Sequence, residues 1–381
     1  MLLLLVFATG CNKAIKNTKP LQEPASKRSW VFFNYQILRA EKAAKTKSFE
    51  GQTLRIFTWT NSFPSNVLKE FMSRSDAAVS VRLYDTNEEL YNRLAAGEQF
   101  DIVMPAGFLV TRLIEENKLM PLDHVHLLNI TNIDHLFQKN IFDPSQKFAV
   151  PYLWSTAGIA FNFAHLDHTP HHWGDLLDPP ADHVAELTNR ISLLSDPVRA
   201  FAAALIHLGY SPNSHSTNEL NAAAKFLHTQ MAKLHVQLLG GNVVDALADQ
   251  RILMAQVYSS EASRAQSLNH HIHFQLPEDG AWMTVYHLAI PAGRSAAQKE
   301  LAEAFINYLL RADVAAKVVN FSHRATTLES AKSFVNPEIK LGPSYARPTN
   351  LFFQEFDRGA DRYKARLWEE VTNGLTTATA R

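Results

Sequence analysis

From residue 53 onward, short runs of apolar residues bounded by turn formers alternate with longer stretches in which apolar positions recur every three or four residues. The first pattern is that of strands, the second that of amphipathic helices. Strands are predicted over 54–59, 79–84 and 101–104, the last ending at Pro105. Pro64 opens a helix that places Val67, Leu68, Phe71 and Met72 on one face. A second helix carries Leu90, Tyr91 and Leu94, and a third runs over 110–116. Three strand–helix units in succession predict an α/β fold with a largely parallel sheet, whose ligands sit beyond the carboxyl ends of the strands. The loops of interest are therefore 59–62, 85–87 and 106–108.

A second layer follows residue 162. It begins with a His- and Pro-rich loop to Pro180, then a strand over 190–194 and an Ala-rich helix over 198–208 stopped by Gly209. A helix over 220–234, strands over 252–258, 271–276 and 285–290, and an amphipathic helix over 296–310 complete the pattern. Two α/β lobes with a cleft between them are expected, and such clefts commonly hold small molecules.

Composition changes the picture in two ways. The 381 residues carry 37 Lys+Arg against 37 Asp+Glu, so there is no basic field to hold a phosphate backbone, and no nucleic-acid partner is expected. The single cysteine excludes a disulfide framework and a four-cysteine zinc site. Cys11 follows an apolar run over 2–7 and then Ala8, Thr9 and Gly10, an arrangement that resembles a bacterial lipoprotein signal, although no Lys or Arg precedes the run. That resemblance implies cleavage before Cys11, acylation of its thiol, and membrane contact through the lipid. Residues 1–11 are read as the signal and 12–52 as a tether, Lys-rich with Pro20 and Pro24 and an aromatic patch over 30–35 expected to pack on the main body.

Several motifs, in order, carry a family resemblance. Thr58, Trp59 and Thr60 form a turn after the first strand, and Tyr84, Asp85, Thr86, Asn87 and Glu88 lead into a helix. Phe100 to Pro105 reads FDIVMP, Val150 to Thr156 reads VPYLWST, and Leu288 to Ala292 reads LAIPA ahead of INYLLRADVA from Ile306. Over about 53–375 the chain resembles bacterial spermidine/putrescine-binding proteins, the periplasmic component of polyamine ABC transporters. The resemblance implies a type II periplasmic binding protein fold, two α/β lobes with a hinge, closing on a ligand in the interlobe cleft. The lobes are expected to comprise 53–160 with 284–325, and 161–283 with 326–381. It also implies a periplasmic solute-binding role, an ABC permease of the inner membrane as partner, no cofactor and no catalysis.

A polyamine needs aromatic walls for its methylenes and carboxylates for its ammonium ends. Carried over by resemblance, the ligand-binding positions are Trp59, Thr60, Asn61, Phe108, Asp196, Arg199, Tyr258, Tyr286 and Arg324. Several depart from the family pattern: Asn61, Arg199 and Tyr286 stand where acids are usual, and Arg324 where a Tyr is. Two readings follow. Either polyamine binding is kept, with Glu261, Asp85 or another acid replacing the lost ones, or the ligand is an amino-acid-like zwitterion whose amine meets Asp196 and whose carboxylate meets Arg199 or Arg324. A sensor reporting the ligand to a membrane signalling protein is a further alternative. The histidines at 165, 168, 171 and 172 lie in a Pro-rich loop and, like those at 270, 271 and 273, read as solvated loop residues, not a metal site. No Gly-x-Ser-x-Gly, His-Glu-x-x-His or phosphate loop is present.

Overall fold

The computed structural model describes residues 47–378 apart from Asn140, Asp167 and Phe356. The expected lipidation site Cys11, the signal, and the tether up to residue 46 lie outside the described residues. The strands are β1 (Thr53–Trp59), β2 (Ala78–Tyr84), β3 (Ile102–Val103), β4 (Ala149–Asn162), β5 (Ile191–Ser192), β6 (Met254–Tyr258), β7 (Ile272–Gln275), β8 (Ala281–Ala289), β9 (Ala325–Thr326) and β10 (Leu351–Phe353). The longer helices are α1 (Ser65–Ser75), α2 (Asn87–Ala95), α3 (Gly107–Glu115), α4 (Pro197–His207), α5 (Thr217–Leu234), α6 (Ser259–Leu268), α7 (Ala296–Leu309), α8 (Ala312–Ser322) and α9 (Arg358–Ala378).

The strands follow the order β2-β1-β3-β8-β4-β6-β5, with β10 beside β8, and β7 and β9 beside β4. The outer pairs β1–β2, β1–β3 and β5–β6 are parallel, as strand–helix–strand units require. The centre departs from the expected largely parallel sheet: β8 returns antiparallel to both β3 and β4, and β4 is antiparallel to β6, β7 and β9. All fourteen residues of β4 are buried, so its apolar run is continuous and lacks the alternation of a half-exposed strand.

Side-chain alternation along the strands divides the core. Leu54, Ile56, Ile102, Met104, Val150, Leu288 and Ile290 face one cluster, with α1, α7 and α8 over it. Phe57, Val103, Ala149 and Ala289 point to the opposite face, under α2 and α3. Farther along β4, Ala157, Ile159 and Phe161 join a separate core with α4, α5 and α9, and Ala160 joins its reverse face with α6. Thus β4 starts in one lobe and ends in the other. Leu328, Ala331, Val335 and Ile339 pack with the first core, whereas Ala360, Leu367, Trp368 and Val371 of α9 pack with the second.

Several local signals operate as read. Pro64 stands at the N-cap of α1. Gly209 adopts φ +78° after α4, where its N–H donates to the Ile206 carbonyl at 2.9 Å and the next N–H, of Tyr210, to Leu205 at 2.8 Å. The segment expected as a loop up to Pro180 instead contains a short helix, Trp173–Leu177. It is held because Trp173 is fully buried, donates from Nε1 to the Gly280 carbonyl at 2.8 Å and stacks on Trp282 at 5.2 Å. Among the described residues no helix is long and apolar enough to cross a membrane.

Within β8, His287 is fully buried, and burial pushes its imidazole down to about 4, with the Val285 carbonyl 3.2 Å from Nδ1 opposing the shift. An unfolded His takes up a proton near 6.5, whereas this one stays neutral. Its contribution to stability is therefore present above about 6.5 and is lost as the pH falls towards 4. In an NMR titration the His287 ring should remain neutral through pH 5; protonation near 6.5 would contradict its burial.

Candidate functional site

The first wall of the site grows from the end of β1. Trp59 donates from Nε1 to the Met104 carbonyl at 3.0 Å, and its ring packs on Tyr84 at 4.6 Å and edge-on to Tyr286 at 5.9 Å. Tyr84 donates its hydroxyl to the same carbonyl at 2.6 Å, so one oxygen fixes both rings. After the strand the chain turns through Asn61 at φ 56°, and Ser62 donates back to the Trp59 carbonyl at 2.7 Å. Arg324, which follows the left-handed His323 at the end of α8, closes over this turn. Its Nη1 donates to the Asn61 carbonyl at 3.1 Å and its Nη2 to the Thr60 carbonyl at 3.2 Å, while the guanidinium lies 5.4 Å over the Tyr286 ring. Thr60 and Asn61 thus meet Arg324 through backbone oxygens. Burial pushes the Tyr286 hydroxyl up, with Arg324 and Arg199 opposing the shift.

The second wall begins at α4. Asp196 is its N-cap, accepting from the Val198 N–H at 2.9 Å, and its side chain is 47% exposed. One turn on, Arg199 is buried at 3% exposure. Its Nε donates to the Tyr258 hydroxyl at 3.0 Å and its Nη2 to Thr284 Oγ1 at 3.2 Å; Asp196 lies 3.8 Å away and the Trp282 ring 5.6 Å. Burial opposes the charge, but Tyr258 and Asp196 outweigh it and hold the guanidinium above its ordinary range. Arg199 therefore ties α4 to the end of β6 and to β8. Arg199→Met should leave the half-buried Tyr258 hydroxyl without its donor and destabilise the protein by about 1 kcal/mol. Denaturant unfolding reads this directly, and an unchanged midpoint would contradict the contact.

Against the first wall lies a cavity of about 520 Å³ whose lining does not include Asp196, Arg199 or Tyr258. One side is formed by Thr60, Asn61, Asp85 and Arg324, the other by Gly241, Val244, Asp245 and the Glu261, Arg264, Ser267 and Leu268 face of α6. Glu261 accepts from the Tyr258 N–H at 2.9 Å, which fixes its carboxylate at the start of α6. Burial raises its pKa, against that hydrogen bond and the nearby Arg264 and Arg324. Burial likewise lowers the pKa of Arg264, against Glu261, and Arg324 adds to the lowering. The aromatic rings lie behind this wall: Arg324 covers Tyr286, which abuts Trp59. Phe108 is buried in the core beneath α2 and α3, and Trp282 in the core of the second lobe.

A second charged group gathers around Arg199. Glu88 of α2, Asp196, and Asp361 and Lys364 of α9 interact there, and Arg358 reaches Glu116 at 3.1 Å. Burial pushes Asp361 up to about 6, with Lys364 opposing and Glu88 and Asp196 adding. Glu88, exposed on α2, faces the junction between α2, α4 and α9. Sequence reasoning also missed Asp245 and Arg264. The available signal for Arg264 was its spacing three residues after Glu261, on one face of a helix that starts at a strand end. Among the histidines, the His168 and His183 rings and the His270 and His271 rings lie tilted against each other, each pair at 4.3 Å, and among the described residues no three metal-binding side chains converge.

The chain has counterparts among known proteins. The putrescine-binding periplasmic protein PotF of Escherichia coli strain K12 is 27% identical over 348 residues, covering 86% of this chain and 94% of that protein. The spermidine/putrescine-binding periplasmic protein of Salmonella typhimurium is 28% identical over 293 residues, or 76% of this chain and 82% of that one. A structure from Listeria monocytogenes, titled as a spermidine/putrescine ABC transporter, superposes with a TM-score of 0.78 at 26% identity, over 84% of this chain and 99% of that chain. The model of the family described as bacterial extracellular solute-binding protein matches residues 66–347, and with a two-lobed α/β fold around a charged interlobe cavity, this chain belongs to that family.

Proposed function

We propose that the protein is the periplasmic solute-binding component of an ABC transporter, that it takes an amine-bearing solute of the polyamine class into the interlobe cavity, and that it delivers the solute to a membrane permease. The observation that carries this reading is the convergence of Asp85 from one lobe with Asp245 and Glu261 from the other around a single cavity. An ammonium group entering there meets carboxylates on both sides, so its binding favours the closed arrangement of the lobes. The putrescine- and spermidine-binding names of the relatives agree with that chemistry. Trp59 and Tyr286 form an aromatic layer behind Arg324, while Asp196, Arg199 and Tyr258 lie outside the cavity lining. The packing of the cores supports lobes comprising about 53–156 with 283–345, and about 157–282 with 351–378. Cys11 is the proposed acylation site that holds the exported protein at the membrane.

Calorimetric titration of the protein with putrescine and spermidine tests the ligand class. Saturable heat is expected, and none from either at millimolar concentration would end the polyamine reading. Membrane fractionation of the wild type against Cys11→Ala tests the anchor: the variant should leave the membrane fraction, and equal partitioning would refute acylation.

A further inference from the structure

Three guanidinium groups stand in or beside the cleft, and two of them are already engaged. Arg199 is held by Tyr258 and Thr284, and Arg324 donates to the Thr60 and Asn61 carbonyls. Arg264 differs: it lines the cavity, and its Nε is buried without a hydrogen-bond partner. Among the described residues no carboxylate lies within ion-pair distance of it, although Glu261 and Asp245 are close enough to influence its charge. A buried guanidinium donor without an acceptor is unfavourable, and a planar carboxylate matches its fork of N–H groups. The same cavity offers Asp85, Asp245 and Glu261 to a cation. A solute with ammonium groups at both ends leaves Arg264 without an acceptor and places a cation near Arg324. A solute with an amine at one end and a carboxylate at the other satisfies both sets.

We propose that Arg264 is the anion-receiving residue of the cavity, and that the preferred solute is a linear aminocarboxylate whose ammonium group lies among Asp85, Asp245 and Glu261. This rests on the reading of the cavity as the amine-solute site, and within that site it ranks amines carrying a carboxylate above the polyamines themselves. Arg264 then determines specificity, because a diamine of equal length gains nothing from it.

The test compares putrescine with 4-aminobutanoate and 5-aminopentanoate by calorimetry on the full protein, as wild type, Arg264→Met and Arg264→Lys. The wild type should bind an aminocarboxylate at least tenfold more tightly than the diamine. Arg264→Met should lose at least tenfold for the aminocarboxylate while holding the diamine equally or more tightly, and Arg264→Lys should recover part of the loss. Loss of affinity for both ligands alike in Arg264→Met, with an unchanged melting temperature, would make Arg264 a partner of Glu261 and Asp245 only and overturn the proposal. Wild-type binding of the diamine without the aminocarboxylates would overturn it while leaving the solute-binding role intact. Binding of none of them would remove the reading of the cavity itself.

Discussion

Replacing Glu261 by Gln leaves the fold in place and weakens binding of an amine solute by about two orders of magnitude. The carboxylate accepts from the Tyr258 N–H at the start of α6, and a Gln carbonyl at the same position accepts that bond equally well. Stability should therefore change little. The negative charge is lost, and with it a charge-assisted bond to an ammonium group of about 2–3 kcal/mol, a factor of about 30 to 150 in affinity. Titration calorimetry and a thermal melt on the same variant separate the two effects. Unchanged affinity would move the amine away from Glu261. Because burial raises the Glu261 pKa, amine affinity in the wild type should begin to fall at a higher pH than for an ordinary carboxylate. Glu261→Gln should flatten that part of the pH profile.

Asp101→Ala should be the most destabilising of these changes, by about 3–5 kcal/mol. Asp101 is 1% exposed and accepts from the Arg55 backbone N–H at 2.8 Å, from Arg55 Nε at 3.0 Å and from Nη2 at 2.8 Å. Arg294, also buried, lies 3.8 Å away and donates to Gln99. The carboxylate thus joins β1 to the entry of β3 and balances a buried guanidinium arriving after β8. Its removal leaves Arg294 buried without a carboxylate, which costs more than the lost hydrogen bonds alone. A drop in melting temperature of roughly 10 °C is expected. A drop under 2 °C would show that water reaches Arg294. The FDIVMP motif containing Asp101 helped to suggest the family, yet this residue's visible work is structural.

Local pattern explains where the sequence was readable. The strands β1, β2 and β6 and the helices α1, α4, α5 and α7 carry period-two or helical apolar spacing and clear stops such as Pro64 and Gly209. The antiparallel centre was not readable that way. β4 and β8 are buried throughout, so their apolar runs say nothing about which neighbour they pair with or in which direction. Helix α8, with Val314, Ala315, Val318 and Val319 buried, has a helical period and begins inside the RADVA end of the family motif. Resemblance pointed to Trp59, Tyr258, Tyr286, Arg199 and Arg324, and of these five Arg324 alone lines the cavity. It could not reveal that Arg199 is engaged by Tyr258 and Thr284, or that Arg324 is engaged by two backbone carbonyls, because both depend on elements far apart in sequence. The same limit hid Asp245 and Arg264, which meet Asp85 only once the lobes are assembled.

The most direct test of the central claim is a crystal structure of the protein with the amine that titrates most tightly. An ammonium nitrogen within hydrogen-bond distance of the Glu261 carboxylate, in the cavity shared with Asp85 and Asp245, is the predicted result. An ordered solute bound elsewhere, with this cavity holding only water, would contradict it.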